Sequence, residues 1–174
     1  PGVVRHVGAV PSIIFGQIDG SKTSQAVCLQ DILNRAGVRA EIPDDIEAAL
    51  WEKFIFVTAL SGVTTVARST IGEIRAYEPT WHLLQNAMRE IVAVGRARGI
   101  RLADDAVERW ITFAMTFPDE ATTSMYRDML GGLPSELEAQ TGAIVRLGRE
   151  ASVTTPINQF IYDSLILQEM RARR

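Results

Sequence analysis

The longest apolar stretch of the sequence, residues 44–68, predicts a buried helix. Apolar side chains cover nearly every face of this helix, and a helix that is hydrophobic all round is normally buried. Asp44, followed three residues later by Glu47, predicts a capping box at its start. One lysine, Lys53, lies in the middle of the helix, where an ammonium group needs a partner, a path to solvent or loss of its charge.

The residues before this helix predict a small α/β unit. Two β-rich runs, 3–7 and 12–18, predict a hairpin-like pair of strands. Residues 24–36 place apolar side chains at a helical period and predict an amphipathic helix, and residues 38–42 predict one more strand. Such a unit is too small to hold a core of its own. We therefore expect residues 1–43 to be the end of a nucleotide-binding domain that begins elsewhere.

From residue 44 onward the pattern predicts five or six helices and no convincing strand. After the Lys53 helix, the predicted helices cover residues 79–98, 104–117, 124–130, 135–150 and the segment from Pro156. Ser135 and Glu138 predict a second capping box. The fold class is therefore mainly α, with a helical domain over residues 44–174. The predicted core is Trp51, Phe54, Leu60, Leu84, Met88, Ile91, Trp110, Phe113, Ile144, Phe160 and Leu165.

Composition excludes several classes of function. The chain is 47% hydrophobic and 22% charged, which is typical of globular proteins, and its net charge of -3 argues against nucleic-acid binding. The one cysteine, Cys28, excludes an intrachain disulfide, fits a reducing compartment and is predicted to be buried. The two histidines lie far apart, so no metal site is expected. Without a recognisable secretory signal or membrane span, we expect a cytoplasmic protein with no membrane partner.

Polar side chains interrupt the helical pattern at three places and are candidates for one site. Lys53 and Ser61 share a face of the long helix, because they stand two turns apart. Ser124 and Asp128 share a face at the start of a short helix, where a hydroxyl group suits a carboxylate ligand. Glu136 has no capping role. Together these residues suit a small anionic carbonyl compound, with the lysine polarising or protonating its oxygen, the serine holding its carboxylate and the glutamate orienting hydroxyl groups.

Each candidate also has a structural interpretation. Lys53 can extend to solvent from a buried helix. Either Ser124 or Thr123 can be a helix N-cap, and Glu136 can complement a helix dipole. In that case the chain is a helical interaction module whose apolar helices build an oligomer. The enzyme interpretation instead requires Lys53, Ser124 and Glu136 to converge on one cleft.

The motifs occur in a recognisable order. W-x-K stands at 51–53 in the apolar helix, S-M-x-x-D at 124–128 is followed by Glu136, and T-P-x-N at 155–158 follows Gly142. This order resembles the C-terminal domain of ketopantoate reductase, also called 2-dehydropantoate 2-reductase, over essentially the whole chain. The resemblance implies a helical domain of the 6-phosphogluconate-dehydrogenase-like type behind a remnant of a Rossmann-like domain, and a homodimer.

The resemblance implies NADPH-dependent reduction of the ketone of 2-dehydropantoate, a step of pantothenate biosynthesis. It assigns catalytic roles to Lys53 and Glu136, substrate binding to Ser124 with Asp128 of the same motif, and a cofactor contact to Glu136. Ser61 is a further substrate-binding candidate because it shares a helix face with Lys53. The family places asparagines at three positions that here hold Val57, Ser61 and Ala121. Because polar recognition discriminates strongly between substrates, a related 2-oxo acid is the alternative substrate.

The cofactor site is not encoded in these residues. No G-x-G-x-x-G occurs in the 174 residues, and this turn is what binds a dinucleotide pyrophosphate. Either the chain is a fragment whose NADPH is bound mainly by an N-terminal domain, or it functions without nucleotide. The fragment interpretation predicts that the chain alone is inactive.

Overall fold

The computed structural model describes residue 2 and residues 11–174 of the chain. They divide into two compact units, Pro1–Leu50 and Trp51–Arg174. The strand predicted over residues 3–7, and with it the predicted hairpin, lies outside the described residues.

The first unit contains a parallel strand pair joined by a helix. Strand β1 is Ser12–Ile14, helix α1 is Ser24–Arg35 and strand β2 is Arg39–Glu41. The strands pair in parallel, with Ser12 opposite Arg39 and Ile14 opposite Glu41. Cys28 on α1 is exposed, so its predicted burial is wrong. Ala26 is the one buried residue of α1, because so small a unit covers little of the helix.

The apolar helix predicted over residues 44–68 is α2, Ile46–Ala67. It begins after Asp45, whose carboxylate accepts a hydrogen bond from the Ala48 amide at 2.9 Å. The predicted N-cap, Asp44, instead pairs with Lys22 at 2.7 Å. The capping box expected at Asp44 is therefore wrong by one residue, because the side chain of the next aspartate reaches the free amide.

Six further helices follow α2. They are α3 Ile71–Ala76, α4 Glu78–Ala97, α5 Ala106–Ala114, α6 Ser124–Leu130, α7 Thr141–Glu150 and α8 Pro156–Ala172. The described residues therefore contain seven helices beyond residue 44, against five or six predicted. The unpredicted helix is α3, whose Thr70 and Glu73 form a reciprocal capping box. Its six residues are too few to show a helical period in the sequence.

The core of the second unit surrounds α2, whose Ile55, Ala59 and Val63 are completely buried. Six predicted core residues are buried: Leu60, Leu84, Met88, Ile91, Ile144 and Leu165. Three more are partly buried and pack against the core: Trp51, Phe54 and Trp110. Phe113 and Phe160 are 46% and 63% exposed, so their assignment to the core is wrong. Helical period identifies a face, but whether another element covers that face depends on the tertiary structure.

Helix α7 begins at Thr141, and the helix start predicted at Ser135 is wrong. The Ser135 hydroxyl donates to the buried Glu169 carboxylate at 2.6 Å, and the Ser135 amide donates to it at 3.0 Å. Arg173 binds the same carboxylate at 2.5 Å. Glu138 accepts hydrogen bonds from Arg146 and Tyr162 instead of closing a capping box. The buried Glu169 carboxylate therefore determines the local structure. It requires the hydrogen bonds of the Ser135 hydroxyl and amide groups, which a capping box at Ser135 would otherwise use.

The pKa of Glu169 follows from these contacts. Burial alone would raise the pKa of its carboxyl group, but the hydrogen bonds from Ser135 and the charge of Arg173 hold the pKa below the usual 4.5. Since the folded-state pKa is the lower one, Glu169 stabilises the fold above pH 4.5. This stabilisation is lost as the pH falls through the folded-state pKa.

We expect Glu169→Gln to lower the free energy of unfolding by about 3 kcal/mol at pH 7, because the buried network loses its negative charge and one of its two acceptor oxygens. The deficit should shrink as the pH falls from 4.5 towards the lower pKa of the folded state, because the unfolded chain takes up a proton there before the native carboxylate does. Urea unfolding at several pH values measures both effects. Glu150→Gln is the matched control, since its pair with Arg98 is exposed and should contribute less than about 1 kcal/mol. A deficit that does not depend on pH would contradict the assignment.

Candidate active site

A cavity of about 250 Å³ opens beside α2 in the second unit. Three parts of the chain form it: one face of α2, the start of α3 and the segment that leads into α6. The lining residues are Phe56, Val57, Leu60, Ser61, Thr64, Ile71, Phe117, Ala121, Thr122, Thr123 and Ser124. Two predicted site residues, Ser61 and Ser124, are therefore brought together from helices that lie far apart in the sequence.

Helix α2 contributes Ser61 to the cavity and Lys53 to the same face two turns earlier. Ser61 is 2% exposed, and its hydroxyl group has no hydrogen-bond partner among the described residues. Lys53 is exposed and does not line the cavity. Within the described part of the chain, its ammonium group forms no ion pair or hydrogen bond. Val57 lies between them on the cavity wall. One helix face therefore presents an ammonium group, an apolar side chain and a hydroxyl group, each about 6 Å from the next along the helix axis.

Ser124 is the first residue of α6 and is exposed. The N-cap is Thr123, whose hydroxyl oxygen accepts a hydrogen bond from the Tyr126 amide at 3.2 Å. Across the residues that the structure describes, the Ser124 hydroxyl group has no partner. Thr123 is therefore the residue that caps α6, and the Ser124 hydroxyl group stays available to a ligand.

The other two predicted site residues, like Lys53, lie outside the cavity lining. Of Lys53, Ser124 and Glu136, which the enzyme interpretation requires to converge on one cleft, only Ser124 lines this cavity. Asp128 is half-buried on α6, one turn after Ser124, and its main-chain oxygen accepts from Leu133 at 2.8 Å. Glu136 is exposed in the turns before α7, and its carboxylate accepts a hydrogen bond from Gln140 at 2.9 Å. It does not stand at the helix start expected from the sequence. Among the residues that the structure describes, none of the side chains lining the cavity is acidic. The charged residue of α2 nearest to Ser61 in the sequence is Lys53.

The unpredicted helix α3 holds the cavity segment through its backbone. The Ile71 amide donates to the Ala121 carbonyl at 3.1 Å, and the Gly72 amide donates to the Asp119 carbonyl at 3.0 Å. A Cβ atom at Gly72 would come within 2.5 Å of the Asp119 Cβ. Glycine is therefore required for this approach. The T-x-x-E sequence at 70–73 is the signal from which α3 can be found.

Arg75, at the end of α3, fixes the same segment from the other side. Its guanidinium group donates to the carbonyl oxygens of Ala114 and Phe117 at 3.2 and 3.3 Å and pairs with the Asp119 carboxylate. The last carbonyl groups of a helix have no intrahelical partner, so an arginine satisfies them well. Arg75 therefore positions Phe117 on the cavity wall, although nothing in the local sequence distinguishes it from a surface arginine.

Aromatic rings form the apolar end of the cavity. The Phe56 ring stacks on Trp110 at 4.9 Å between centroids and contacts Phe117 at 5.6 Å. Glu52 accepts hydrogen bonds from the Trp110 indole at 2.9 Å and from Arg109 at 2.8 Å. Burial alone would lower the pKa of Arg109, but its charge interaction and hydrogen bond with Glu52 have the larger effect and raise the pKa. These contacts orient the rings and leave carbon surface facing the cavity.

Known proteins are similar to this chain in fold and sequence. The family model described as ketopantoate reductase PanE/ApbA C terminal matches residues 45–169. The chain belongs to this family. The predicted resemblance and the mainly α fold of the family's C-terminal domain are thereby confirmed.

Individual relatives of this ketopantoate reductase family member match most of the chain. It is 30% identical over 171 residues to the uncharacterised oxidoreductase YkpB of Bacillus subtilis (strain 168), covering 97% of this chain and 55% of that protein. It is 31% identical over 156 residues to a 2-dehydropantoate 2-reductase of Mesorhizobium japonicum, covering 90% and 47%. The crystal structure of a PanE/ApbA family ketopantoate reductase from Ralstonia eutropha JMP134 superposes with a TM-score of 0.86 at 29% identity, covering 100% and 56%. The chain thus spans about half the length of the relatives it matches.

The described residues contain no group of three or more histidine, cysteine, aspartate or glutamate side chains that is placed to hold a metal ion. Among the helices of residues 11–174, none combines the length and apolar character needed to cross a membrane.

We expect Arg75→Leu to lower the free energy of unfolding by about 2 kcal/mol, because charge-assisted hydrogen bonds to several carbonyl groups are lost. The amides of Ile71 and Gly72, which donate to the cavity segment, should exchange faster with solvent. Hydrogen exchange measured by NMR reports both amides. Arg98→Leu removes an arginine with an exposed partner and is the control. Unchanged exchange at Ile71 and Gly72 would show that Arg75 does not hold the segment.

Proposed function

We propose that this chain forms the substrate-binding part of an NADPH-dependent reductase that converts the ketone of 2-dehydropantoate or a related 2-oxo acid to a hydroxyl group. The observation that carries the proposal is the cavity that joins Ser61 to Ser124 on the helix face that also bears Lys53. Membership of the ketopantoate reductase family supports it.

Lys53 is assigned the proton transfer. Its ammonium group has no ion pair among the described residues, so its charge is available to polarise the ketone oxygen. A bound NADPH would supply a hydride to C2 and leave as NADP⁺. Lys53 would give its proton to the oxygen, so that the C=O double bond becomes a C–O single bond with new C–H and O–H bonds. General acid catalysis of this kind contributes about 10²- to 10⁴-fold to a rate.

The two serines are assigned to the substrate. Ser124 and Ser61 each carry a hydroxyl group without an intrachain partner in the described structure, so each can donate to a carboxylate or carbonyl oxygen of a 2-oxo acid. Asp128 and Glu136 lie outside the cavity lining, and their proposed roles in substrate and cofactor binding rest on the family resemblance. Glu136 is exposed, which suits a contact with NADPH.

The chain's own residues do not fit a complete NADPH site. The turn between β1 and α1 contains Gly16 and Gly20, four residues apart, instead of the closely spaced glycines that admit a pyrophosphate. Thr23 occupies the cap of α1 through its hydroxyl group. The proposal therefore assigns dinucleotide binding to a further domain of the full-length protein.

The test is oxidation of NADPH, and separately NADH, by the full-length protein with 2-dehydropantoate and a panel of 2-oxo acids. We expect Lys53→Ala to lower kcat by about 10²- to 10⁴-fold, because the general acid is lost. Lys22→Ala is the matched control: Lys22 is the other lysine of the chain and pairs with Asp44 in the first unit. Turnover that is indifferent to Lys53, or absent with every acid, would refute the proposal.

A second function, that of a helical oligomerisation module without catalysis, is favoured by a different observation. Phe160 and Leu167 on α8 are 63% and 65% exposed, and their spacing of seven residues places them on one helix face. An apolar face of this kind suits a second copy of the chain. Self-association is compatible with catalysis, so the homodimer stays a proposal under both functions.

We expect Leu167→Glu to convert a homodimer of the full-length protein to monomer, because a carboxylate on that face cannot be buried against its apolar neighbour. Light scattering coupled to size-exclusion chromatography measures the mass. Met115→Glu, on an exposed side chain outside α8, is the control and should leave the mass unchanged. A native protein that is already monomeric would refute the oligomerisation module.

A further inference from the structure

The cavity that joins Ser61 and Ser124 has mostly carbon on its walls. Six of its lining residues have apolar side chains, contributed by α2, by α3 and by the segment before α6. They are Phe56, Val57, Leu60, Ile71, Phe117 and Ala121. The remaining lining residues are serines and threonines, so no lining side chain offers an amide or a carboxylate.

Three of the lining hydroxyl groups already have partners within the chain. Thr64 donates to the Leu60 carbonyl at 2.7 Å. Thr123 accepts from the Tyr126 amide at 3.2 Å, and Thr122 accepts from Arg127 at 3.1 Å. The hydroxyl groups that lack a partner within the described residues are those of Ser61 and Ser124.

Thr122 only accepts in its bond with Arg127, so its O–H can still donate. The other polar groups that remain match the reacting end of a 2-oxo acid. That end carries a carboxylate and a ketone oxygen, which require the two free hydroxyl groups and the Lys53 ammonium group. A hydroxyl group elsewhere on the substrate would lose water on entering the cavity and, away from Thr122, would face carbon. Burying a polar group without a hydrogen-bond partner is unfavourable. A substrate that carries such a group is therefore bound more weakly than its apolar counterpart.

We infer that the cavity selects 2-oxo acids with a wholly apolar side chain over those whose side chain carries a hydroxyl group. This inference rests on the proposed reductase function and specifies its substrate class. Val57 and Ala121 are the positions that determine the selection. Each lines the cavity with a small apolar side chain where an amide would supply both a donor and an acceptor.

Two acids that differ by one hydroxyl group provide the test. They are 2-dehydropantoate, which is 4-hydroxy-3,3-dimethyl-2-oxobutanoate, and 3,3-dimethyl-2-oxobutanoate. With the full-length protein we expect kcat/KM to be about 10- to 100-fold higher for the second acid, the range in which apolar pockets discriminate against an added hydroxyl group. Equal values, or a preference for 2-dehydropantoate, would overturn the inference.

Substitutions on the wall test the assigned cause. Val57→Asn and Ala121→Asn add an amide to the cavity, and each should reduce the preference by at least about tenfold. Val57→Ile is the matched control, since it changes volume without adding a polar group, and the preference should persist. A preference that is unchanged in both asparagine variants would show that the wall does not set it.

Calorimetric titration of the two acids into the same protein separates this inference from the proposed function. If neither acid is reduced, the reductase proposal fails, yet tighter binding of 3,3-dimethyl-2-oxobutanoate still supports the inference about the cavity. Turnover without any difference between the acids leaves the reductase function standing and refutes the selection. Circular dichroism of each variant shows whether a lost preference reflects unfolding.

Discussion

The burial of α2 is the constraint on which the second unit depends. Its Ile55, Ala59 and Val63 have no exposed surface, and a Cβ atom at Gly62 would approach the Ile161 side chain to 3.2 Å. A helix enclosed this closely cannot rotate about its axis without breaking its packing, because protein interiors are packed at nearly crystalline density. The face that bears Lys53 and lines the cavity is thereby fixed by the core on the opposite face.

Local sequence was sufficient where local interactions decide the structure. The start of α6 at Ser124 and the start of α8 at Pro156 were predicted correctly, because a threonine cap and an N1 proline act within one turn. Ser135 failed as a predicted cap because its partner, Glu169, lies 34 residues away and is buried. Helical period also misplaced Phe160, since the sequence does not state which apolar faces another element covers.

The candidate site likewise depends partly on local helical geometry and partly on tertiary structure. The common face of Lys53 and Ser61 follows from helical geometry alone and needed no tertiary information. Ser61 and Ser124 line one cavity because α3 and Arg75 hold the segment between them in place. The hydrogen bonds of Arg75 join residues about forty positions apart along the chain. The partners of the lining threonines are likewise visible only in the folded structure. Sequence therefore indicated which residue types belong to the site, and the fold determined which of them remain free to bind.

The place of a free hydroxyl group matters more for binding than its lack of a partner. Nearly all buried polar groups in folded proteins have a hydrogen-bond partner, and leaving one without costs about 1–3 kcal/mol. Thr58 and Thr65 on α2 nevertheless carry buried hydroxyl groups without a partner in the described chain, and neither lines the cavity. The Ser61 hydroxyl group differs from them because Ser61 lines the cavity, where a ligand can reach it. Its place on the cavity wall, and not its burial, therefore favours a ligand at Ser61, which an oligomerisation surface on α8 does not supply.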